Sequence, residues 1–215
     1  VRGGEYPHQV LANAKGTIDH PLVIRAEDGE TPIFDGVGQK QNFRGTLHLT
    51  GVENVSLVGL EVRNATGSNY AMAISANGPV KNLRIRGCHL HHINGPVARF
   101  TGDGIVFEAN DIHDGVLVNS SNQPNGGWPT CIGTVPDQAK PMSPWAQNVV
   151  VRNNHIRDCW GEGIALFYGT KGVVEGNVIE RSWNVGIYMD NASDVVVTRN
   201  FIHMVDGYAK NPGAG

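Results

Sequence analysis

The chain has no run of 18 apolar residues, so no membrane-crossing helix is expected. It lacks a surplus of positive charge: 17 Lys and Arg face 20 Asp and Glu, for a net charge of -3. A basic footprint for nucleic acid is therefore not expected. Cysteine is sparse and odd in number, with Cys88, Cys131 and Cys159 and no Cys-x-x-Cys pair, which argues against a disulfide framework and for three unpaired thiols. The chain starts at Val1 without an initiating Met or a leader and ends in "YAKNPGAG". Both ends are read as cut from a longer protein.

What the chain has is glycine, 28 of 215 residues, and a recurring Asn. Six segments align: "NVSLVGLEVRN" (54–64), "NLRIRGCHLHH" (82–92), "GIVFEANDIHD" (104–114), "NVVVRNNHIRD" (148–158), "KGVVEGNVIER" (171–181) and "DVVVTRNFIHM" (194–204). One column reads Val62, Leu90, Ile112, Ile156, Ile179, Ile202; two places earlier stand Leu60, Cys88, Asn110, Asn154, Asn177, Asn200. Asn154, Asn177 and Asn200 lie 23 residues apart. Period-two alternation of β-branched residues predicts strands. A unit of about 22–23 residues is too short for a four-stranded propeller blade and fits one coil of a β-solenoid. Coils stacked about 4.8 Å apart would put each apolar residue over its equivalent. The Asn column would then form a ladder, each amide bonding its neighbour and local backbone.

The Asn column, the "VVVRNNHI" and "GIALF" strands and this period resemble right-handed parallel β-helix proteins, and the opening "VRGGEYPHQVLANAKGTIDHPLVIRAEDGETPIFDG" (1–36) resembles the first coils of pectate-lyase-like polysaccharide lyases. The resemblance implies an all-β, right-handed parallel β-helix of roughly seven to eight coils in one domain, 1–215. It also implies a secreted or cell-surface protein that acts, lyase-like, on an acidic (uronic-acid) polysaccharide. A non-catalytic glycan-binding or structural surface protein is the alternative, because one β-helix hosts many functions. The polygalacturonase pattern "NTD…DD…GHG…RIK", the epimerase-like "DPHD" and a cluster of Asp ligands for Ca²⁺ are all missing. Uncapped terminal coils would favour end-to-end self-association.

From Asn110 to Asn154 is twice the usual spacing. The stretch 119–147 is read as one long loop insertion from a single coil, and such loops often carry the binding face. Its Trp128 and Trp145, like Trp160 and Trp183, offer flat surfaces for sugar rings or pack the loop onto the barrel.

If the Leu90 column points in, its neighbours point out. His89, His91 and His92, then Asp111, His113 and Asp114, then His155, Arg157 and Asp158 form an outward grid. Three readings stand open: a divalent-cation site (Ca²⁺ or Zn²⁺) drawing on His89, Asp111 and His155; an acid–base patch using His91, His113 and Arg157; or a solvated face whose charges pair between coils. A second outward surface is expected on the "GIALF" strand. Its columns are read as Ala73, Arg99, Leu117, Ala165, Tyr188 and Ser75, Thr101, Asn119, Phe167, Asp190, with Glu162 beside Trp160. Arg99 and Tyr188 are candidate catalytic groups there. Glu162, Asn119 and Asp190, with the four Trp, are candidates for substrate binding. The spacing of Glu162 and Asp190 along the strand is too long for a hydrolytic carboxyl pair.

Overall fold

The computed structural model describes residues 1–40, 44–121, 125, 127, 129–135, 145–183 and 185–204. The chain winds as a three-sided solenoid in which every strand pairing is parallel. An eight-stranded sheet, running from Gly4–Tyr6 to Phe201–His203, forms the first side. A seven-stranded sheet, from Gln9–Ala12 to Ile187–Asp190, forms the second, and a nine-stranded sheet the third. Coils neighbouring in sequence are neighbours in space, as a solenoid requires.

The corners explain the Gly and Asn content. Five strands of the first sheet, from Glu61–Arg63 to Val178–Ser182, carry a residue in left-handed conformation at or next to their C-terminal end: Asn64, His92, Asp114, Asp158 and Arg181, with φ of 58°, 57°, 50°, 54° and 54°. The corner before that sheet repeats the conformation at Gly59, Gly87, Ala109, Asn153, Gly176 and Arg199. Gly and Asn adopt it at the lowest cost. Because the bend is copied from coil to coil, the strands beyond it stay in register.

The interior follows the predicted columns. Val62, Leu90, Ile112, Ile156 and Ile179 are fully buried and stacked, together with Phe100 and Phe107. The Asn ladder is formed. Asn110 Nδ2 donates to Asn154 Oδ1, Asn154 Nδ2 to Asn177 Oδ1, and Asn177 Nδ2 to Asn200 Oδ1, each at 2.9 Å. Each Oδ1 also accepts the backbone N–H of the residue one coil before, at 2.9–3.0 Å. Each second Nδ2 proton goes to a carbonyl of the third sheet: Ile85, Phe107, Val151 or Val174. The ladder thus satisfies the polar groups of a turn that is buried at Asn110, Asn154 and Asn177.

The stretch 119–147 departs from the expectation of a single loop. Asn110 to Asn154 is one coil, as read, but Thr130–Thr134 returns to the second sheet between Ala98–Phe100 and Glu162–Phe167. Ala146–Gln147 joins the third sheet. Leu117–Asn119, read as a strand of the second sheet, is a 3-10 turn entered through a left-handed Val116. The three cysteines are free and buried. Burial pushes the Cys88 thiol up to about 11 and the Cys131 thiol up as well, so neither is a ready nucleophile.

Candidate functional site

On the first sheet the register places His89 beside Asp111 and Asp111 beside His155; His91 lies beside His113, and His113 beside Arg157. This is the outward grid read from the sequence. Most of its charges are paired. Arg157 forks onto both Asp111 oxygens, with Nη2 at 3.3 Å from Oδ2. His155 turns to Glu180, Nε2 to Oε2 at 2.7 Å, and Arg181 clasps Asp158 at 2.6–2.7 Å. The Arg181 bonds lead the causes that hold the Asp158 carboxyl below its ordinary range, and the His155 bond does the same for Glu180. Burial alone would raise Asp111, but Arg157 and two imidazoles outweigh it and hold it low. Arg157, committed to Asp111, has no free role as a base.

The imidazoles pack on one another. His91 stacks on His113 at 4.9 Å and 13°, and His89 lies 4.3 Å from His91. Burial, then the charge of its neighbours, pushes His91 down to about 4 and His89 below its ordinary value, so both are neutral near pH 7. Among the described residues, three groups bring donor atoms within 4.8 Å of one another: His91, His92 and His113; Glu61, His89 and His91; His89, Asp111 and His113. His155 belongs to none of them. A metal-ligating set here centres on His113 rather than His155.

The second sheet holds a different arrangement. Arg99 sits between the buried Ala98 and Phe100 and points outward, beside Ser75 on one coil and Gly133 on the next. The expected partners Ala73 and Leu117 are replaced by Ser75, two residues further along its strand, and by Gly133 of the Thr130–Thr134 strand. Gly133 is required there: a Cβ would come within 2.3 Å of Thr130 Oγ1. Thr130 pairs with Glu162, and Ala165 with Tyr188. Gly163 and Ile164 both face inward, and a Cβ on Gly163 would lie 3.1 Å from the core residue Ile179.

Three side-chain atoms of this cleft are buried without a hydrogen-bond partner among the described residues: Arg99 Nε, Thr130 Oγ1 and Glu162 Oε2. Native proteins leave few such groups, and their convergence marks a place built for a ligand. Burial raises the Glu162 carboxyl to about 7; Arg99 opposes the rise and Asp190 adds to it. The charge of Asp190 therefore reaches Glu162 despite the spacing along the strand. Burial lowers Arg99, with Glu162 and Tyr70 offsetting part of the loss. Ser75 Oγ accepts from the Gly45 N–H at 2.7 Å and hydrogen-bonds with His48 Nδ1 at 2.7 Å, which continues the polar column below Arg99.

An aromatic row borders the cleft. Tyr188 meets Phe167 at 5.7 Å, Phe167 meets Trp145 at 6.1 Å, and Trp145 meets Tyr168 at 4.7 Å. Tyr168 and Tyr188 are exposed. Trp183, only 2% exposed, is no sugar platform but part of the packing, and Trp160 packs partly buried against the core. Asn119 is also buried. It donates to the carbonyls of Gly127 and Trp160 and fixes the turn rather than a ligand. Trp128 lies outside the described residues. Tyr70, Thr130 and Gly133 escaped the sequence reading; the one clue was the short alternation of "TCIGT" inside the interrupted stretch.

A family model described as a right handed beta helix region matches residues 137–210. The chain is a right-handed parallel β-helix. No curated protein matches its sequence. Among solved structures it is similar to a lacto-N-biosidase from Eubacterium ramulus, at 12% identity and a TM-score of 0.54, over 94% of this chain and 49% of that one. The chain thus spans about half the length of that protein. Similarity to an alginate lyase from Paenibacillus sp. covers 98% of this chain and 91% of the lyase, at 10% identity and a TM-score of 0.41. A surface adhesin of Streptococcus pneumoniae is similar over 95% of this chain and 83% of the adhesin, at 9% identity and a TM-score of 0.32. At such identities the likeness concerns the fold. Among the described residues no helix is long and apolar enough to cross a membrane.

Proposed function

We propose that this β-helix binds an acidic polysaccharide across the second sheet and cleaves it by β-elimination in the Arg99–Glu162 cleft. The observation that carries the reading is a buried cation with an unpartnered Nε beside a carboxyl titrating at about 7. Arg99 would bind the uronate carboxylate and draw charge from it, which acidifies the adjacent C5–H. Ionised Glu162 would take that proton. The electron pair forms the C4–C5 double bond as the C4–O bond breaks, and the Tyr188 hydroxyl would return a proton to the leaving oxygen. The aromatic row from Tyr188 to Tyr168 would stack sugar rings on either side. A polymer of this kind is met outside the cell, which supports a secreted or cell-surface location.

A panel of uronic-acid polysaccharides tests the reading through the ultraviolet absorbance of the unsaturated product. Arg99→Gln is expected to lower kcat/KM on the cleaved polymer by about 100-fold or more, as loss of one charge-stabilising donor does elsewhere. New reducing ends without unsaturation would refute β-elimination. Binding without either product favours a non-catalytic glycan-binding protein, the second reading, which the aromatic row supports by itself.

Self-association belongs to the same proposal. Among the described residues, Val10, Leu22 and Val23 on one end coil and Val196, Val197, Phe201 and Ile202 on the other are exposed on the outermost strands of their sheets. Light scattering of the 215-residue chain should show mass rising with concentration, and a constant monomer mass would refute it.

A further inference from the structure

We propose that the histidine face of the first sheet, separate from the Arg99 cleft, is a binding site for one divalent transition-metal ion, held by His89 Nε2, His113 Nε2 and Asp111 Oδ2. The inference does not rest on the polysaccharide reading. Its basis is the contact between the two rings. His89 Nε2 and His113 Nε2 lie 2.8 Å apart, so only one of them carries a proton. The neighbour of His113 decides which. His113 Nδ1 lies 2.7 Å from Asp114 Oδ2, and the carboxylate only accepts, so Nδ1 holds the proton and the Nε2 lone pair accepts from His89 Nε2–H; an ion takes both Nε2 atoms once neutral His89 carries its one proton on Nδ1 instead. A carboxylate behind an imidazole in this way fixes ring orientation and raises the basicity of the far nitrogen, the arrangement that supports metal-ligating histidines.

The third donor is in place. Asp111 Oδ2 lies 3.6 Å from His89 Nε2, and the donor atoms of His89, Asp111 and His113 all fall within 4.8 Å of one another. Four ligands about 2.0–2.1 Å from a tetrahedral ion stand roughly 3.3 Å apart, so the two rings need to part by about half an ångström. His89, 42% exposed, has room to make that shift, while His113 stays held by its stack on His91 and its bond to Asp114. Arg157 engages Asp111 and leaves a lone pair on Oδ2 for the ion. Two imidazoles and a carboxylate select Zn²⁺, Cu²⁺ or Ni²⁺ over Ca²⁺, which takes oxygen ligands. Because the ligands come from neighbouring coils, the ion would bind one coil to the next.

The test is calorimetric titration of Zn²⁺ into the untagged full chain after dialysis against chelator, with Co²⁺ absorption in the visible as a check on coordination. One ion per chain is expected. His113→Gln or His89→Gln should weaken binding at least ~100-fold, whereas His92→Gln, outside the donor set, should change it less than threefold. Ca²⁺ at a hundredfold excess should not compete. Absence of saturable binding by the wild-type chain overturns the proposal, and so does a His92→Gln loss as large as that of His113→Gln. Thermal unfolding of each variant in chelator checks that its fold is kept. A variant that unfolds is replaced by Asp111→Asn, expected to weaken Zn²⁺ at least tenfold; unchanged affinity there also refutes the site.

Discussion

Glu162→Gln is expected to stabilise the protein at pH 8 while abolishing turnover. In the folded chain burial raises the Glu162 carboxyl from 4.5 to about 7. A carboxyl with a raised folded pKa costs nothing below the unfolded pKa. The cost grows as pH rises from about 4.5 and is complete above about 7, where the folded state must hold a buried charge. At 1.36 kcal/mol per pKa step the full cost is about 3 kcal/mol. The residue is only 6% exposed, so solvent does little to screen it. Gln has the shape of the neutral acid and escapes the cost. Urea unfolding should therefore show wild type losing about 3 kcal/mol between pH 4.5 and 8 relative to the variant, with the two equal at pH 4.5. Product formation should fall about 1,000-fold in the variant, since proton transfer by a positioned group contributes on the order of 100- to 10,000-fold. Parallel pH curves would refute the buried charge, and an active variant would remove Glu162 from the chemistry.

Asn154→Ala is expected to cost about 4 kcal/mol, from several stranded buried groups at about 1–3 kcal/mol each. The Asn110 backbone N–H and one Asn110 Nδ2 proton would lose their acceptor, and the Phe107 carbonyl its donor. Asn154→Asp should cost at least as much at pH 7. It keeps the acceptor but sets a charge against Asn177 Oδ1, where Asn154 Nδ2 now donates. At the outer end of the ladder Asn200 is partly exposed, so water replaces what Asn200→Ala removes and the loss should be nearer ~1 kcal/mol. Equilibrium urea unfolding of the three variants measures this, and equal losses at 154 and 200 would show that the ladder is not a buried network.

The first sheet was legible to the residue. Alternation fixed which side chains point out, and a constant period fixed what lies beside them, so His91 over His113 and Asp111 over His155 follow from sequence alone. The period failed on the second sheet. "GVLVN" has the alternation of a strand, yet a left-handed Val116 turns it into a 3-10 corner, while the true strand, Thr130–Thr134, lies within the interrupted stretch. Alternation also says nothing about depth. Asn119 and Trp183 were read as ligand contacts because their columns face outward, but loops and corners cover them. The raised Glu162 depends on that same covering, and no spacing rule reports it. Conversely, the pairing of Arg157 with Asp111 withdraws Arg157, a base candidate that residue type alone recommended.

The Asn ladder stops at Cys88, whose backbone N–H donates to Asn110 Oδ1 but whose side chain has no amide to extend the column. The column continues to Leu60 without an amide, and residues 1–30 before it are mostly exposed. Cohesion between coils is therefore graded along the axis. In an array where each repeat touches only its neighbours, loosening starts at the weakest end and advances coil by coil. Such a front, entering at the N-terminal coils, would meet its first firm obstacle where the amides begin. Arg99, Glu162 and the histidine face all stand beyond Cys88, so the chemistry of the protein lies in the part of the spring that opens last.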